Sequence, residues 1–238
     1  MALTLREITN RVLQVLGEDD IDPVASVIVD PYEKLIATFV NQIKEEVEDA
    51  HNWRGLIAAK SVTIAASGTL GALSGTNNRS RLVRHYDPIR GIQDPLVNDV
   101  TDTSAKFPLH EVPLARLLQD RAQSAAGTTG VPYEFAIDLF PSSSDEAQLN
   151  IFPAADKSRN YTVSMYLPQT RIGFDALDTE IQVPARPIEL GALWYALEER
   201  GEELGAAGVF SERKYRQALD DAISSDSAES GGFQLVPV

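Results

Sequence analysis

The chain has 238 residues, and its hydrophobic fraction of 43% and charged fraction of 24% are ordinary for a globular protein with a sizeable core. It contains no cysteine, which excludes disulfides, thiolate metal sites and a thiol nucleophile. The net charge of −14 disfavours tight binding to nucleic acid or anionic lipid, because such a surface repels phosphate groups. An acidic wall along which DNA slides without binding is still compatible with this charge.

The first residues of the sequence lack the basic-then-apolar order of a signal peptide. No stretch approaches the roughly 18 consecutive apolar residues that a membrane helix needs. We therefore expect a protein that stays where it is made, or travels inside a larger particle, and that has no membrane partner.

Two amphipathic helices are predicted within residues 1–58, as the first half of a helical body. A capping-box pair, Thr4 and Glu7, begins the first helix. Asp30 is the predicted N-cap of the second helix, whose apolar stripe runs towards Trp53. The acidic run of this helix is interpreted as its solvent-facing side: Glu45, Glu46, Glu48 and Asp49.

Residues 59–174 change character and predict a β-rich insert. Short runs of β-forming residues alternate with clusters of Gly, Ser, Asn, Asp and Pro, which is typical of a small antiparallel sandwich or barrel. The loop 67–80 is rich in Ser, Gly and Asn, so we expect it to carry no core. The predicted strands are 61–65, 81–92, 133–139, 148–152 and 161–167, and one short helix is predicted at 114–121.

Residues 175–225 return to helix and complete the helical body. One helix follows Pro184, and Ser211 is the predicted N-cap of the last one. The apolar face predicted for the first of these helices comprises Leu190, Leu193, Trp194, Leu197 and Leu204. Residues 226–238 are expected to form a flexible linker with an apolar tip. The predicted fold is therefore α+β: a helical body formed by both chain ends, an inserted β-rich domain and a flexible C-terminal arm.

The residues indicate no catalytic or metal site. The chain lacks the nucleophile-elbow, phosphate-loop, dinucleotide-binding and zincin motifs, and its three histidines are far apart in sequence. The acidic stretch 18–22 lacks the glycine and distal glutamate of a calcium loop, so a solvated turn is the better interpretation. We expect no enzyme activity, no catalytic residue, no metal and no cofactor.

Five residues are candidates for subunit contacts. Arg79, Arg81 and Arg84 form a local basic patch together with Arg90, around a flexible loop. The patch is either ordinary strand surface or a loop that faces an acidic neighbour or DNA. Trp194 and Tyr195 are by default core residues. If their helix lies at a subunit contact, one faces inward and the other outward, because adjacent helix positions point roughly 100° apart.

Several sequence elements occur in an order that resembles one protein family. They are Glu48 to Trp53, Gly127 to Phe135, Leu149 to Pro153, Tyr161 to Leu167, and Val183 to Leu204. Together they resemble the head-to-tail adaptor, or tail tubular protein A, family of short-tailed bacteriophages, over nearly the whole chain. The loops 67–80 and 98–106 are longer than a minimal member needs.

The resemblance implies a structural role in a virion. Family members form a ring, here expected to be a dodecamer, beneath the portal protein and above the tail nozzle protein. Double-stranded DNA passes through the central channel without specific binding. The resemblance also implies no cofactor and no catalytic residue, and it places the protein in the tail or neck of a virion that is assembled in the host cytoplasm.

An apolar tip follows the predicted linker and is the expected portal- or subunit-binding segment. It comprises Phe233, Gln234, Leu235, Val236, Pro237 and Val238. Folding of this tip back onto its own subunit is the alternative. For the whole protein, the alternatives are a head-completion or tail-terminator connector of a long-tailed phage, a carbohydrate-binding module, and a hydrolase that uses carboxylates in the β-rich insert.

Overall fold

The computed structural model describes residues 3–87, 92–95, 97–102, 107–124, 128–139, 141, 146–201 and 206–229. This part of the chain is mixed α+β, which confirms the predicted class. Its helices are α1 Leu5–Leu16, α2 Pro31–Ala50, α3 Leu114–Gln123, α4 Ala185–Glu199 and α5 Ala206–Glu229, and a 3-10 turn covers Arg54–Leu56. Its strands are β1 Leu3–Thr4, β2 Ile57–Ile64, β3 Leu70–Ala72, β4 Arg81–Leu82, β5 Arg84–Asp87, β6 Ile92–Pro95, β7 Val97–Asp99, β8 Phe107–Pro108, β9 His110–Glu111, β10 Thr129–Gly130, β11 Glu134–Asp138, β12 Gln148–Phe152, β13 Ala154–Ala155, β14 Arg159–Tyr166 and β15 Glu180–Ile181.

The described residues divide into two units. A helical unit lies within residues 1–56 and 168–232 and contains α1, α2, α4 and α5. A β-rich unit lies within residues 57–167 and contains α3 and most of the strands. The helical unit therefore draws on two segments that are far apart in sequence.

The chain returns to the helical unit earlier than the sequence analysis places it, at Pro168 rather than at residue 175. The reason is a pair of buried hydrogen bonds to α2. The side-chain amide of Asn41 donates to the carbonyl of Ile172 at 3.1 Å, and its oxygen accepts from the N–H of Ile172 at 3.0 Å. These bonds hold the returning segment against α2 well before the next helix begins.

Local capping signals begin both N-terminal helices as predicted. The Thr4 hydroxyl accepts from the N–H of Glu7 at 3.2 Å, and the Glu7 carboxylate accepts from the N–H of Thr4 at 2.8 Å. Gly17 ends α1 in the left-handed region with φ of 75°, which glycine adopts without steric cost. The Asp30 carboxylate caps α2 by accepting from the N–H of Tyr32 at 2.8 Å.

Helix α4 packs against α1, α2 and α5 through a face that differs from the predicted one. Its buried residues are mostly small, and they are Pro187, Ile188, Gly191, Ala192 and Ala196. A Cβ atom at Gly191 would lie only 2.7 Å from Cγ2 of Ile43, so the two helices approach closely at this position. The predicted face of Leu190, Leu193, Trp194 and Leu197 is wrong, because these side chains are only half-buried. Leu204 lies outside the described residues.

A buried ion pair fastens the returning segment to α2. The Lys44 ammonium donates to the Glu48 carboxylate at 3.1 Å and to the backbone carbonyls of Gln169 and Thr170 at 3.0 and 3.3 Å. Both charged side chains are 0% exposed. The prediction that Glu48 faces solvent is therefore wrong, although Glu46 and Asp49 are exposed as expected.

Two sheets of the β-rich unit contribute to one hydrophobic core. One sheet has the order β3-β12-β11-β9, and the other has the order β2-β14-β7-β8, with β4 also paired to β14. The predicted strand 81–92 is divided between β4 and the β5-β6 hairpin. The fully buried side chains of the core are Leu73, Val97, Phe135, Leu149, Ile151, Ala155, Tyr161, Val163 and Met165.

The loop 67–80 belongs to this core, contrary to the prediction from its composition. Its residues Leu70–Ala72 form β3, which pairs antiparallel with β12. Leu73 is fully buried, and a Cβ atom at Gly71 would lie 2.5 Å from Cγ2 of Val62. A glycine is needed at this close approach, so the glycine-rich composition reflects packing rather than flexibility.

Helix α5 is longer than predicted at both ends. It is continuous from Ala206 to Glu229, so Ser211 lies inside the helix and is not its N-cap. The predicted linker at 226–238 also begins too early, because residues 226–229 are helical. The apolar tip from Phe233 to Val238 lies outside the described residues.

Candidate interaction site

Four aromatic rings contact one another where α2, α4 and α5 meet, and two of them bind the carboxylate of Glu46. We call this group the aromatic cluster. The Tyr195 hydroxyl donates to Glu46 Oε1 at 2.7 Å, and the Tyr215 hydroxyl donates to Oε2 of the same residue at 3.4 Å. The Trp194 ring lies 5.1 Å from that of Tyr195 and stacks at 6.1 Å on that of Tyr215. Phe39 meets Tyr195 edge to face at 5.8 Å.

The environment of the aromatic cluster keeps both tyrosines protonated. Burial and the hydrogen bond to Glu46 raise the pKa of Tyr195 to about 12. Burial and the negative charge of Glu46 raise the pKa of Tyr215 to about 12 as well. Ionisation of either hydroxyl would place a second negative charge beside the carboxylate, so the cluster depends on neutral tyrosines.

These raised pKa values predict a loss of stability at high pH. An unfolded tyrosine releases its proton near its ordinary pKa of about 10, whereas in the folded state Tyr195 and Tyr215 keep theirs to about pH 12. The unfolded state therefore binds fewer protons between these values, and the free energy of unfolding falls as pH rises through this window. We expect thermal unfolding followed by circular dichroism to show this fall.

The tyrosine variants provide the control for this prediction. Tyr195→Phe and Tyr215→Phe should each reduce the pH dependence above pH 10, because phenylalanine has no proton to lose. A pH dependence that is unchanged in the double variant would contradict the assignment to the aromatic cluster.

The structure places Trp194 and Tyr195 in contact with each other. Both side chains are half-buried, and their rings tilt together at an interplanar angle of 56°. Each ring also has a further aromatic partner within the subunit, which is Tyr215 for Trp194 and Phe39 for Tyr195. A role for Trp194 and Tyr195 at a subunit interface stays a prediction.

The C-terminal turn of α5 is anchored to the segment that follows α2. The Asp226 carboxylate lies 2.9 Å from Nε2 of His51 and 3.2 Å from Nε of Arg54. The His51 ring meets Trp53 edge to face at 4.9 Å, and Trp53 donates from Nε1 to the carbonyl of Val47 at 2.6 Å. Trp53 is 2% exposed. The anchor of α5 is therefore in contact with a buried tryptophan through His51.

Sequence reasoning missed this anchor because Asp226 stands in a polar stretch. The apolar stripe of α5 runs through Leu219, Ala222 and Ile223, and the next position on that stripe is occupied by Asp226. A carboxylate near the C-terminus of a helix is disfavoured by the helix dipole, and a neighbouring cation offsets this. Arg54 follows Trp53 directly, but nothing in the sequence links it to a residue so far along the chain.

The three predicted interface arginines lie in the β-rich unit and contact groups of that unit. The Arg84 guanidinium makes two hydrogen bonds to the Glu111 carboxylate, at 2.6 and 2.8 Å. The Arg81 guanidinium lies 4.7 Å above the ring of Tyr166. Arg79 lies in a turn, where its N–H donates to the side chain of Asn77 at 2.9 Å. All three arginines are partly exposed, and their role in subunit contacts stays a prediction.

In the part of the chain that the structure describes, no group of three His, Asp or Glu side chains is placed to hold a metal ion, and no helix is both long and apolar enough to cross a bilayer. The six tip residues Phe233 to Val238 lie outside this part. The aromatic cluster and the anchored end of α5 combine half-buried aromatic rings with paired polar groups.

Comparison of the chain with protein-family models and with curated proteins gives no match.

Proposed function

We propose that this protein is a structural head-to-tail adaptor of a short-tailed bacteriophage virion. It forms a ring beneath the portal protein, joins that ring to the tail nozzle protein, and encloses a channel through which DNA passes. The support is the order of sequence elements that resembles this family, together with the way in which α5 ends. The protein acts by binding and by shape, without catalysis or a cofactor.

The anchored end of α5 is the observation that carries the proposal. His51 and Arg54 hold Asp226, so the helix ends at a fixed point of the helical unit. In the sequence, residues 230–232 stand between Glu229, the last described residue of α5, and the apolar segment 233–238. A short connection from a fixed point suits an arm that reaches a neighbouring protein, since little chain has to be ordered when the arm binds.

The proposed architecture also suits ring formation. A closed ring requires each subunit to contact its neighbours through two different faces. In the proposed arrangement the helical body built from both chain ends supplies such faces, and the β-rich insert adopts a sandwich-like form. The net charge of −14 gives the channel an acidic wall from which DNA is repelled.

A mass measurement with the portal protein of the same genome tests the proposal. We expect native mass spectrometry of the mixture to show one complex, in which a portal ring carries a complete ring of this chain. A portal ring from a long-tailed phage is the control and should recruit no copies. Failure of this chain to join its own portal ring would refute the adaptor function.

A further inference from the structure

The loop between α1 and α2 displays apolar side chains on a fixed support, and we call residues 18–30 the valine loop. Val24 is 86% exposed, Val29 is 77% exposed and Val27 is 44% exposed. Ile21 and Ile28 in the same loop are fully buried, so the loop is tied to the helical unit on its inner side. Its valines therefore face solvent because of a defined conformation, and covering them removes apolar surface from water, which favours binding.

Acidic side chains occur in the same loop as these valines. The exposed ones in the valine loop are Glu18, Asp19, Asp20, Asp22 and Asp30. Arg6 of α1 fixes the loop by donating to the backbone carbonyls of Asp22 and Ala25, at 2.7 and 2.8 Å. An apolar patch with an acidic rim calls for a partner that combines an apolar group with cations.

The outer face of α5 has this complementary chemistry. Phe210, Arg213, Lys214 and Gln217 occupy positions i, i+3, i+4 and i+7 of the helix, so they share one face. Phe210 is 56% exposed, and the Lys214 ammonium lies 4.3 Å from its ring. Arg213, Lys214 and Gln217 are exposed as well. We call these four residues the basic face of α5.

The two surfaces lie on opposite flanks of α4. On one flank, Arg11 of α1 pairs with Glu189, and the valine loop is bonded to this same helix α1. On the other flank, Trp194 stacks on Tyr215 of α5. Positions 189 and 194 are five residues apart and point roughly 140° away from each other around the helix. The basic face of α5 points away from α4 in turn, because Tyr215, which stacks on Trp194 of α4, is buried and lies roughly 140° around α5 from Phe210.

We propose that the valine loop of one copy of this chain docks onto the basic face of α5 in a second copy. Val24 and Val29 cover Phe210, and the acidic rim of the loop faces Arg213 and Lys214. Because the two surfaces differ and lie on opposite flanks, each copy presents its valine loop to one neighbour and its basic face of α5 to the other. This head-to-tail contact deepens the proposed function. The contact itself stands independently, and only its closure into a ring rests on the adaptor function.

Disulfide trapping tests the contact directly, since the chain contains no cysteine of its own. Val24→Cys and Lys214→Cys are made in separate chains, mixed at high concentration and oxidised. We expect the mixture to give crosslinked dimers of one copy of each variant, several-fold above the dimers of either variant alone. Salt at about 1 M should reduce this yield, because it screens the charges that align the surfaces.

Ser224→Cys is the matched control, because Ser224 is exposed on the same face of α5 but about 15 Å further along the helix. A crosslink from Val24→Cys to Lys214→Cys that does not exceed the crosslink to Ser224→Cys would overturn the proposal.

Charge reversal provides a second test of the same contact. One chain carries Phe210→Cys and its partner carries Val24→Cys. Adding Lys214→Glu to the Phe210→Cys chain should lower the yield of crosslinked dimer several-fold. Adding Asp19→Lys to the Val24→Cys chain should restore part of the crosslink yield. A yield that does not recover would contradict the proposed pairing of opposite charges.

These assays need no portal protein, so their outcome is independent of the test of the adaptor function. Crosslinking as expected together with failure to join a portal ring would retain the head-to-tail contact and refute the adaptor.

Discussion

Replacing Glu48 with alanine is expected to lower the free energy of unfolding of the helical unit by about 3–5 kcal/mol. Glu48 is 0% exposed and accepts from the ammonium of Lys44 at 3.1 Å, and Lys44 is 0% exposed as well. The alanine variant loses the carboxylate that accepts from this buried ammonium, whereas the carbonyls of Gln169 and Thr170 supply no opposite charge. Chemical denaturation followed by circular dichroism measures the loss.

Two further variants separate the buried charge from the lost packing. Lys44→Met combined with Glu48→Leu removes both charges and fills similar volume, so it should recover most of the stability. Glu45→Ala is the surface control, because Glu45 pairs with Arg171 at 3.3 Å in a partly exposed position, and it should cost less than about 1 kcal/mol. A Glu48→Ala variant no less stable than Glu45→Ala would contradict the importance of the buried pair.

The same ion pair shows where prediction from sequence reaches its limit. Lys44 and Glu48 are spaced i and i+4, which is the pattern of an exposed helix pair. What buries them is the backbone at Gln169 and Thr170, which lies 125 and 126 positions beyond Lys44. No local pattern reports a contact at that separation, so the acidic run of α2 was expected to face solvent throughout.

Features that depend on neighbouring residues were predicted well. The capping box of Thr4 and Glu7 and the cap at Asp30 are complete within three residues, and both helices begin there. The strand at Gln148–Phe152 has the predicted bounds, because alternation and the flanking turn residues delimit it. Helix α3 likewise begins at the predicted Leu114.

Features that depend on side-chain volume across the fold were predicted poorly. The buried face of α4 consists of small residues such as Gly191, because Ile43 of α2 occupies the space beside them. The large apolar residues of α4 therefore indicated a face that is not the most buried one. In the loop 67–80, the glycine-rich composition predicted a flexible loop, although residues 70–72 form a strand. The residue that follows this strand, Leu73, is fully buried in the core.

For the candidate site, residue type alone identified Trp194 and Tyr195 as important aromatics. Their partners Glu46 and Tyr215 come from two other helices, and the sequence offers no signal for that convergence. The end of α5 was missed for the opposite reason, since a helix-compatible stretch of Ser, Asp, Ala and Glu resembles a linker in composition. The contacts of Asp226 with His51 and Arg54 hold this stretch as part of the helical unit.

Deleting residues 231–238 is expected to abolish stable attachment to the portal ring while leaving the melting temperature of the chain almost unchanged. The deleted segment carries Phe233, Leu235, Val236 and Val238. Full burial of such side chains against a partner contributes about 1.5–3 kcal/mol each, and ordering of the connecting residues offsets part of this. A net loss of only about 3 kcal/mol already weakens binding more than about a hundredfold.

The stability should survive the deletion because the described contacts of α5 precede it. Tyr215 packs in the aromatic cluster and Asp226 is bonded to His51 and Arg54, and all of these groups remain in the shortened chain. Thermal unfolding and native mass spectrometry of the same sample measure the two effects together.

Two full-length variants show which property of the arm matters. Leu235→Ser with Val236→Ser keeps the length of the arm but removes apolar surface, and it should weaken attachment nearly as much as the deletion. Asp226→Ala keeps the tip but frees the end of α5, so the arm has to be ordered over a longer stretch on binding and attachment should weaken to a smaller extent. A shortened chain that docks with unchanged affinity would show that the segment is not a docking arm. One that unfolds would show that the segment packs on its own subunit, because a side chain that stabilises the monomer is not available to hold a neighbour.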